Sequence, residues 1–528
     1  MFSDTIYMLV LIIYTIFVFL STRSAIHMFQ QNRYEIGRFR QWQKANVTKT
    51  YPLYVMVTWF IIAILFLFVE KTELRLLTIF VVLGIQLVNQ FNKNKYRTFI
   101  KPLVYTNRVK RQLFTFALIH CLFILAVTTW AKDPYILILC LFVYNVYQMH
   151  VVSLVALINY PLENFFKNRF MKKAQDNLKT NPFITSIGIT GSYGKTSSKN
   201  IINEVLSKKF YCLATPASFN TPLGISITLN NSLQPIHEMF ICEMGADKLG
   251  EITELFNFVK PKVGVVTSIG PQHLATFKTQ ENIIHEKMQM VELMDEDGVV
   301  ILNKDEQFIR EYNITSKAKQ IWYGIENNAD IMAKDIEYSK DGSKFVVVID
   351  GEEYDFNTKL LGIHNIYNIL AAIGIGLHFG ISIKELQIAI RQLSFIEHRL
   401  ELKKQNDYTI IDNAFNSNPV SSKISLDVLE RMPGKRICIT PGMIDLGDKQ
   451  EYYNKEFGKY FIGKCDFVIL VGRRQTKSIY EGIAESGFNM KNVKVVNRIY
   501  DAYALLNNVK EPDCYVLLEN DLPDAFNN

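Results

Sequence analysis

The chain has 528 residues, enough at about 150 residues per domain for three or four domains, so a single small module is excluded. Apolar residues make up 49% and charged residues only 21%, a balance that fits neither a disordered chain nor an ordinary soluble protein and points to a part that sits in lipid. The formal charge of +7 is unevenly placed: residues 1–180 hold 21 Lys and Arg against 7 Asp and Glu, while residues 181–528 hold 37 against 44. A nucleic-acid reader concentrates positive charge on its folded reading domain, so this acidic second part speaks against nucleic acid as a partner.

Five stretches lack any Asp, Glu, Lys or Arg: 5–22, 50–69, 76–92, 112–131 and 134–162. Crossing ~30 Å of hydrocarbon takes about 20 helical residues, so five spans are expected, the third being the weakest because it contains Gln86, Asn89 and Gln90. A cleaved signal peptide fits poorly, since basic residues follow the first apolar run and four more runs come after it. The segments 23–49 and 93–111 are rich in Lys and Arg, whereas the connections 70–75 and 132–133 are short and neutral. By the positive-inside rule this implies an outside N-terminus and a cytoplasmic remainder, a multi-pass protein of the cell membrane. The same basic loops read either as topology signals or as a lipid-phosphate site. The seven cysteines, Cys121, Cys140, Cys212, Cys242, Cys438, Cys465 and Cys514, are scattered without C-x-x-C spacing and read as buried, reduced thiols.

From residue 181 short β-branched runs alternate with helical ones, the pattern of an α/β architecture. Ser186–Thr190 reads as a strand, Gly191-Ser192-Tyr193-Gly194-Lys195-Thr196 as a turn and Ser197–Lys209 as a helix. In such an order the glycines let backbone N–H groups approach phosphates and the helix N-terminus favours their charge. Lys195 reaches the terminal phosphates, and the Thr196 hydroxyl is suited to hold Mg²⁺. The strict G-x-x-x-x-G-K-[ST] spacing fails at Ile189, so a helix-capping turn that happens to contain Gly-Lys-Thr is the alternative. Glu243 follows the run Met239–Cys242 at a strand's C-terminal end, where open α/β sheets place ligands, and His273 lies just beyond a second strand, Val263–Val266. Together with Thr196 they could hold Mg²⁺; singly, such a Glu is a solvated side chain, and His is a less usual partner for that ion than oxygen.

These motifs, in their order, resemble the Mur ligase family, ATP-dependent enzymes that add amino acids or dipeptides to the peptide of peptidoglycan precursors. The resemblance covers about residues 181–528. Thr190–Ser197 is similar to the family's phosphate loop, Asn220-Thr221-Pro222-Leu223-Gly224 to its next signature turn, and Glu243-Met244-Gly245-Ala246 and Gly270-Pro271-Gln272-His273-Leu274 to its metal-binding runs. Glu286-Lys287-Met288-Gln289 falls where the family has A-K-x-E, whose Lys is often carbamylated, and Gly362-Ile363-His364-Asn365 resembles the adenine-contacting segment. His398-Arg399-Leu400-Glu401 and Asp412-Asn413-Ala414-Phe415-Asn416-Ser417-Asn418-Pro419 resemble runs of the branch that adds D-alanyl-D-alanine. Asn413 and Phe415 depart from that branch's second Asp and Tyr, and Glu286 and Gln289 from the family's Ala and Glu.

The apolar runs make residues 1–165 a transmembrane region, and the resemblance implies a phosphate-loop central domain at 166–398 and a smaller Rossmann-like C-terminal domain at 399–528. It implies ATP binding by Gly191, Ser192, Gly194, Lys195, Thr196, Ser197, Asn365, Arg399 and Asp412, and Mg²⁺ binding by Thr196, Glu243, His273 and a modified Lys287. Catalytic roles would fall to Lys195, Lys287 and His273. Lys287 on spacing alone reads as a solvated helix face, and an isolated Arg399 or Asp412 as half of a surface ion pair. The soluble family members carry a UDP-sugar-holding domain upstream of the phosphate loop, whereas here only about 20 residues separate the last apolar run from the strand at 186. The expected function is an ATP-dependent amide ligase acting on an envelope precursor presented at the membrane, with an amino acid or dipeptide as amine donor. The alternatives are D-alanyl-D-alanine addition to a UDP-linked peptide, poly-amino-acid synthesis, and a membrane ATPase or transporter.

Overall fold

The computed structural model describes residues 2–51, 53–96, 102–272, 274–339, 341–414, 417–444, 446 and 449–521. It divides into two compact units, residues 1–168 and 169–528.

The described residues of the first unit form helices and their connections only. Among the described residues three helices are long and apolar enough to cross a membrane, Asp4–Gln31, Thr72–Asn92 and Asn107–Trp130. A fourth crossing is available if Pro134–Val146 and Gln148–Lys179, bent by 65° at their junction, act as one span. The expectation of five spans is therefore too high. The second apolar run forms only the 16-residue helix Leu53–Phe68, about 24 Å long at ~1.5 Å per residue against ~30 Å of hydrocarbon. The run with Gln86 and Gln90 passes instead, because its helix continues beyond the apolar window and buries both amides. Helix ends are capped locally: Thr106 accepts from the Val109 amide and Asp133 from that of Tyr135. Inside the unit the Tyr14 hydroxyl donates to the Leu141 carbonyl, and Gln148 donates to the Val18 carbonyl and the Thr22 hydroxyl. Arg111 grips Glu163 through two hydrogen bonds of 2.7 Å.

The second unit holds two sheets. The larger comprises β1 (Thr185–Thr190), β2 (Cys212–Ala214), β3 (Met239–Glu243), β4 (Val263–Val266), β5 (Val299–Asn303), β6 (Lys319–Gly324), β7 (Ile331–Ser339), β8 (Gly342–Ile349) and β9 (Glu352–Thr358), in the order β2-β3-β1-β4-β5-β6-β7-β8-β9. From β2 to β7 all neighbours are parallel, and the near-continuous burial of the central β1, β3, β4 and β5 follows from helices covering both faces. β8 and β9 close the edge antiparallel, joined through Asp350 and Gly351 at φ 52° and 83°, the two positive angles that a tight right-twisted hairpin needs and an Asp-Gly pair supplies.

The smaller sheet contains β10 (Glu401–Lys404), β11 (Tyr408–Asn413), β12 (Arg436–Thr440), β13 (Phe467–Val471), β14 (Val493–Val496) and β15 (Cys514–Glu519), in the order β10-β11-β15-β12-β13-β14. Only β10 runs antiparallel to its neighbour. Parallel strands end on one side, so β1, β3 and β4 deliver Thr190, Glu243 and Val266 to a common edge, and β11 and β15 deliver Asn413 and Glu519 to another. All seven cysteines are free thiols, but only Cys242, Cys438, Cys465 and Cys514 are buried; Cys140 and Cys212 are half-buried and Cys121 is exposed.

Candidate active site

Strand β1 feeds Gly191–Gly194 and then the helix Lys195–Leu206. Gly191 sits at φ 146°, and a Cβ there would lie 2.1 Å from the Thr267 hydroxyl, so only glycine lets the loop pass this close to β4's end. The loop is pinned to that end: the Ser192 amide donates to the Ser268 carbonyl, the Ser192 hydroxyl to the Gly270 carbonyl, and the Thr267 hydroxyl to the Tyr193 carbonyl at 2.6 Å. The result is a rigid cradle ahead of a helix N-terminus, the arrangement that binds phosphate through backbone N–H groups. Lys195 Nζ donates to the carbonyls of Gly191 and Ser192. Burial pulls the pKa of this ammonium down, while the Glu243 carboxylate acts to hold it up.

Glu243, at the end of β3, is fully buried. One of its oxygens accepts from the Thr196 hydroxyl at 2.9 Å and the other from Asn220 Nδ2 at 3.0 Å, with Lys199 Nζ 3.8 Å away. A hydroxyl and a carboxylate side by side at the phosphate end of the loop form a hard-oxygen donor set that suits Mg²⁺. Lys199 was not anticipated. It lies one helical turn after Lys195, donates to the Ala217 carbonyl at 2.6 Å, and holds the segment leading to Asn220; the signal is the i, i+4 spacing of two lysines on one helix face.

A cavity of about 200 Å³ opens over this cradle. Ser192, Gly194, Lys195, Thr196, Ser197, Asn220, Glu243 and Gln272 line one side, and Arg399, Leu400, Asn413, Asn418, Val420, Ser421 and Ile424 the other, with His364 between. Arg399 is half-buried; desolvation lowers its pKa while Glu243 and Glu519 act to raise it. His364 Nδ1 and Asn365 Oδ1 are buried without a protein partner, and desolvation together with the nearby Arg399 pulls the His364 imidazole down to about 4, so it stays neutral near pH 7. Asn365 Nδ2 is held by the Leu361 carbonyl at 2.8 Å.

Asp412 stands off from the cavity. Its carboxylate accepts from His398 Nδ1 at 2.8 Å, from Lys403 and from the Ala414 amide; burial raises its pKa, but these bonds outweigh it and hold the group below the usual range. His398, Glu401 and Asp412 lie close enough to suggest a cation site, yet the Lys403 ammonium sits between the two carboxylates and balances them within the chain. His273 lies outside the described residues. Lys287 is buried, donates to the Ala246 carbonyl at 3.1 Å, and has its pKa lowered to about 7 by desolvation and by Lys195. Its neighbour Glu286 accepts from the amides of Gly250 and Ile252 at 2.7 and 2.6 Å and so caps the helix Glu251–Val259.

This fold and loop define a phosphate-loop α/β protein whose second sheet closes the site from the other side. Residues 189–376 match the Mur ligase middle domain and residues 398–518 the Mur ligase glutamate ligase domain. The UDP-N-acetylmuramoyl-tripeptide–D-alanyl-D-alanine ligase of Bacillus subtilis is 33% identical over 292 residues, 54% of this chain and 62% of that enzyme. Its counterpart in Buchnera aphidicola subsp. Baizongia pistaciae is 30% identical over 327 residues, 60% of this chain and 70% of that one. MurF of Acinetobacter baumannii has the same fold, with a TM-score of 0.61 at 22% identity over 67% of this chain and 77% of that one. MurF of Thermotoga maritima, solved in complex with ADP, gives 0.60 at 22% identity over 68% and 81%. The chain belongs to the Mur ligase family. It spans about 62% of the length of the Bacillus subtilis relative, and its helical first unit lies outside the family match.

Proposed function

We propose that this protein is an ATP-dependent carboxylate–amine ligase that joins a D-alanyl-D-alanine-type dipeptide to the peptide carboxylate of a UDP-linked peptidoglycan precursor, the reaction that its curated relatives are named for. The observation that carries this reading is the single cavity in which the phosphate loop, the Thr196–Glu243 pair and Arg399 face one another. In the proposed organisation a membrane region (1–165) precedes the central (166–398) and C-terminal (399–528) domains.

The acceptor carboxylate attacks the γ-phosphorus of ATP, ADP leaves, and the resulting acyl phosphate is attacked at its carbonyl carbon by the amine, which loses a proton as phosphate departs. The loop amides and Lys195 bind the phosphates, with Lys195 and Arg399 facing the oxygens on which charge develops. Thr196 and Glu243 would hold Mg²⁺, with His273 and a carbamylated Lys287 as further ligands, and the ion would supply charge neutralisation at the phosphates. The orphaned Asn365 and His364 atoms are suited to the nucleotide's polar edges. Asp412 is assigned to the ribose side.

A second reading, in which the acceptor is presented at the membrane, is favoured by one observation: three long apolar helices occupy the chain upstream of the family match. The test is ADP release by protein purified in detergent with Mg²⁺ and bicarbonate, across a panel of amines, with UDP-linked or lipid-linked peptide as acceptor and Lys195→Ala as control. Release requiring a dipeptide and the UDP-linked peptide supports the leading reading, whereas release only with the lipid-linked acceptor supports the second. Release indifferent to amine and acceptor leaves an ATPase or transporter and sinks both.

A further inference from the structure

We propose that Glu519 is a positioning residue for the amine side of the ligase site: from behind the cavity wall it fixes Asn413, Ser417 and Ser425, and so presents the Asn413 carbonyl Oδ1 to the incoming amine. The inference rests on the ligase reading above and concerns a residue to which that reading gives no role.

Glu519 ends β15 and is 0% exposed. It lies opposite Asn413 in the parallel register of β11 and β15. One carboxylate oxygen accepts from Asn413 Nδ2 at 2.8 Å and from the Ser425 hydroxyl at 2.6 Å; the other accepts from the Ser417 hydroxyl. These three residues bracket the segment whose side chains Asn413, Asn418, Val420, Ser421 and Ile424 line the cavity. Asn520 adds to the same grip: its amide donates to the Asn413 carbonyl at 3.1 Å and its Nδ2 to the Gly442 carbonyl at 2.6 Å. The wall is thus held at its start, its middle and just past its end by the last residues of one strand.

The chemistry of the wall says which ligand it meets. A transferred phosphate and an acceptor carboxylate are both hydrogen-bond acceptors and call for cations or N–H donors, which Lys195, the loop amides and Arg399 provide. The five side chains of the 413–424 segment bring no positive charge to the cavity. One Nδ2 hydrogen of Asn413 is held by Glu519, which turns the nitrogen toward the carboxylate behind the wall and leaves Oδ1 as the acceptor this side chain can offer. Of the three reacting groups only the amine donates. A buried carboxylate kept among three donors costs desolvation, and burial raises the Glu519 pKa against the pull of Asn413, Ser417, Ser425 and the Arg399 charge.

The test compares steady-state ADP release by the full-length wild type with Glu519→Gln, Ser425→Ala, Asn413→Asp and the double variant Asn413→Asp/Glu519→Gln, each with a thermal melt. Glu519→Gln is expected to raise KM for the amine about tenfold while KM for ATP stays within about twofold, the split that a purely structural role does not produce. Asn413→Asp sets two carboxylates face to face and is expected to lose more, and the double variant, in which amide and carboxylate exchange places, is expected to recover part of it. Ser425 lies outside the cavity, so Ser425→Ala reads the same split if Glu519→Gln fails to fold. An unchanged amine KM, or equal changes in the amine and ATP constants with a lowered melting temperature, overturns the proposal. Wild-type protein that releases no ADP in response to any amine overturns the ligase reading itself, and this inference with it.

Discussion

At the scale of single residues the site is a set of buried charges whose neighbours decide their state. Lys287 is the clearest case: only 2% exposed, it has its pKa lowered to about 7 by desolvation and by Lys195. An unfolded lysine holds its proton up to about 10.4, so between pH 7 and 10 the unfolded chain binds more protons than the folded one and stability rises with pH. Below about 7 both states are protonated, and the desolvation penalty is fully present. Lys287→Met is therefore expected to flatten the rise in melting temperature between pH 7 and 10, measured in bicarbonate-free buffer. The same lowered pKa leaves a neutral amine at pH 7 that can add CO₂. With ¹³C-bicarbonate the wild type is expected to show a carbamate carbonyl resonance that Lys287→Arg lacks; its absence would remove Lys287 from the proposed Mg²⁺ ligands. The partners of Glu243 are equally specific. Thr196 follows Lys195 in the chain and is legible from the motif, and Lys199 lies one turn further along the same helix, whereas Asn220 reaches the carboxylate only through the packing of the loop before the helix Pro222–Ser232.

At the scale of elements, local chemistry explains most boundaries. Asn418 caps the helix Pro419–Glu430 by accepting from two of its amides, Ser382 and Glu385 form a reciprocal cap at Ile383–Arg391, and Asp350-Gly351 turns the terminal hairpin. One cap comes from a distance. The helix Glu251–Val259 begins at Gly250 with no cap of its own, and the buried Glu286 of the helix Gln280–Glu292 supplies the carboxylate that its first amides need. This gives a structural role to a residue that departs from the family's Ala. Glu286→Ala is expected to cost about 1–3 kcal/mol of stability through the unpaired amides, with KM values little changed, as read by thermal melts beside steady-state kinetics. The apolar helices show the opposite limit: charge-free length was visible in the sequence, but the end of one helix at Phe68 and the 65° bend near Tyr147 were not, because both depend on how the chain turns between windows of equal hydropathy.

At the scale of the whole molecule, nucleotide binding and stability should be linked, because the cavity takes its walls from residues 192–272 on one side and 399–424 on the other. A ligand that bridges these walls binds only the folded protein. A non-hydrolysable ATP analogue with Mg²⁺ at 100 times its Kd is expected to stabilise the second unit by about 2.7 kcal/mol, seen as a raised melting temperature that Lys195→Ala abolishes. For the first unit, three apolar helices of 21 to 28 residues are expected to keep the chain in the membrane pellet through alkaline carbonate and high salt. Release by carbonate would show that these helices pack against protein instead of lipid.

Neighbouring residues alone specify the strand, glycine loop and helix around Lys195, the order of motifs from residue 190 to 419, and the stretches free of charge. These are local because backbone sterics, capping and hydropathy act within a few residues of each other. The meeting of groups far apart in the chain depends instead on how the strands are ordered and packed. Glu519 lies 106 residues from Asn413 and 94 from Ser425, and nothing in a Leu-Leu-Glu-Asn run marks its carboxylate as buried beneath a cavity wall. Parallel strands 4.7–4.9 Å apart bring such residues to one sheet edge, and it is strand order, set by the packing of the whole second unit, that chooses which ones meet.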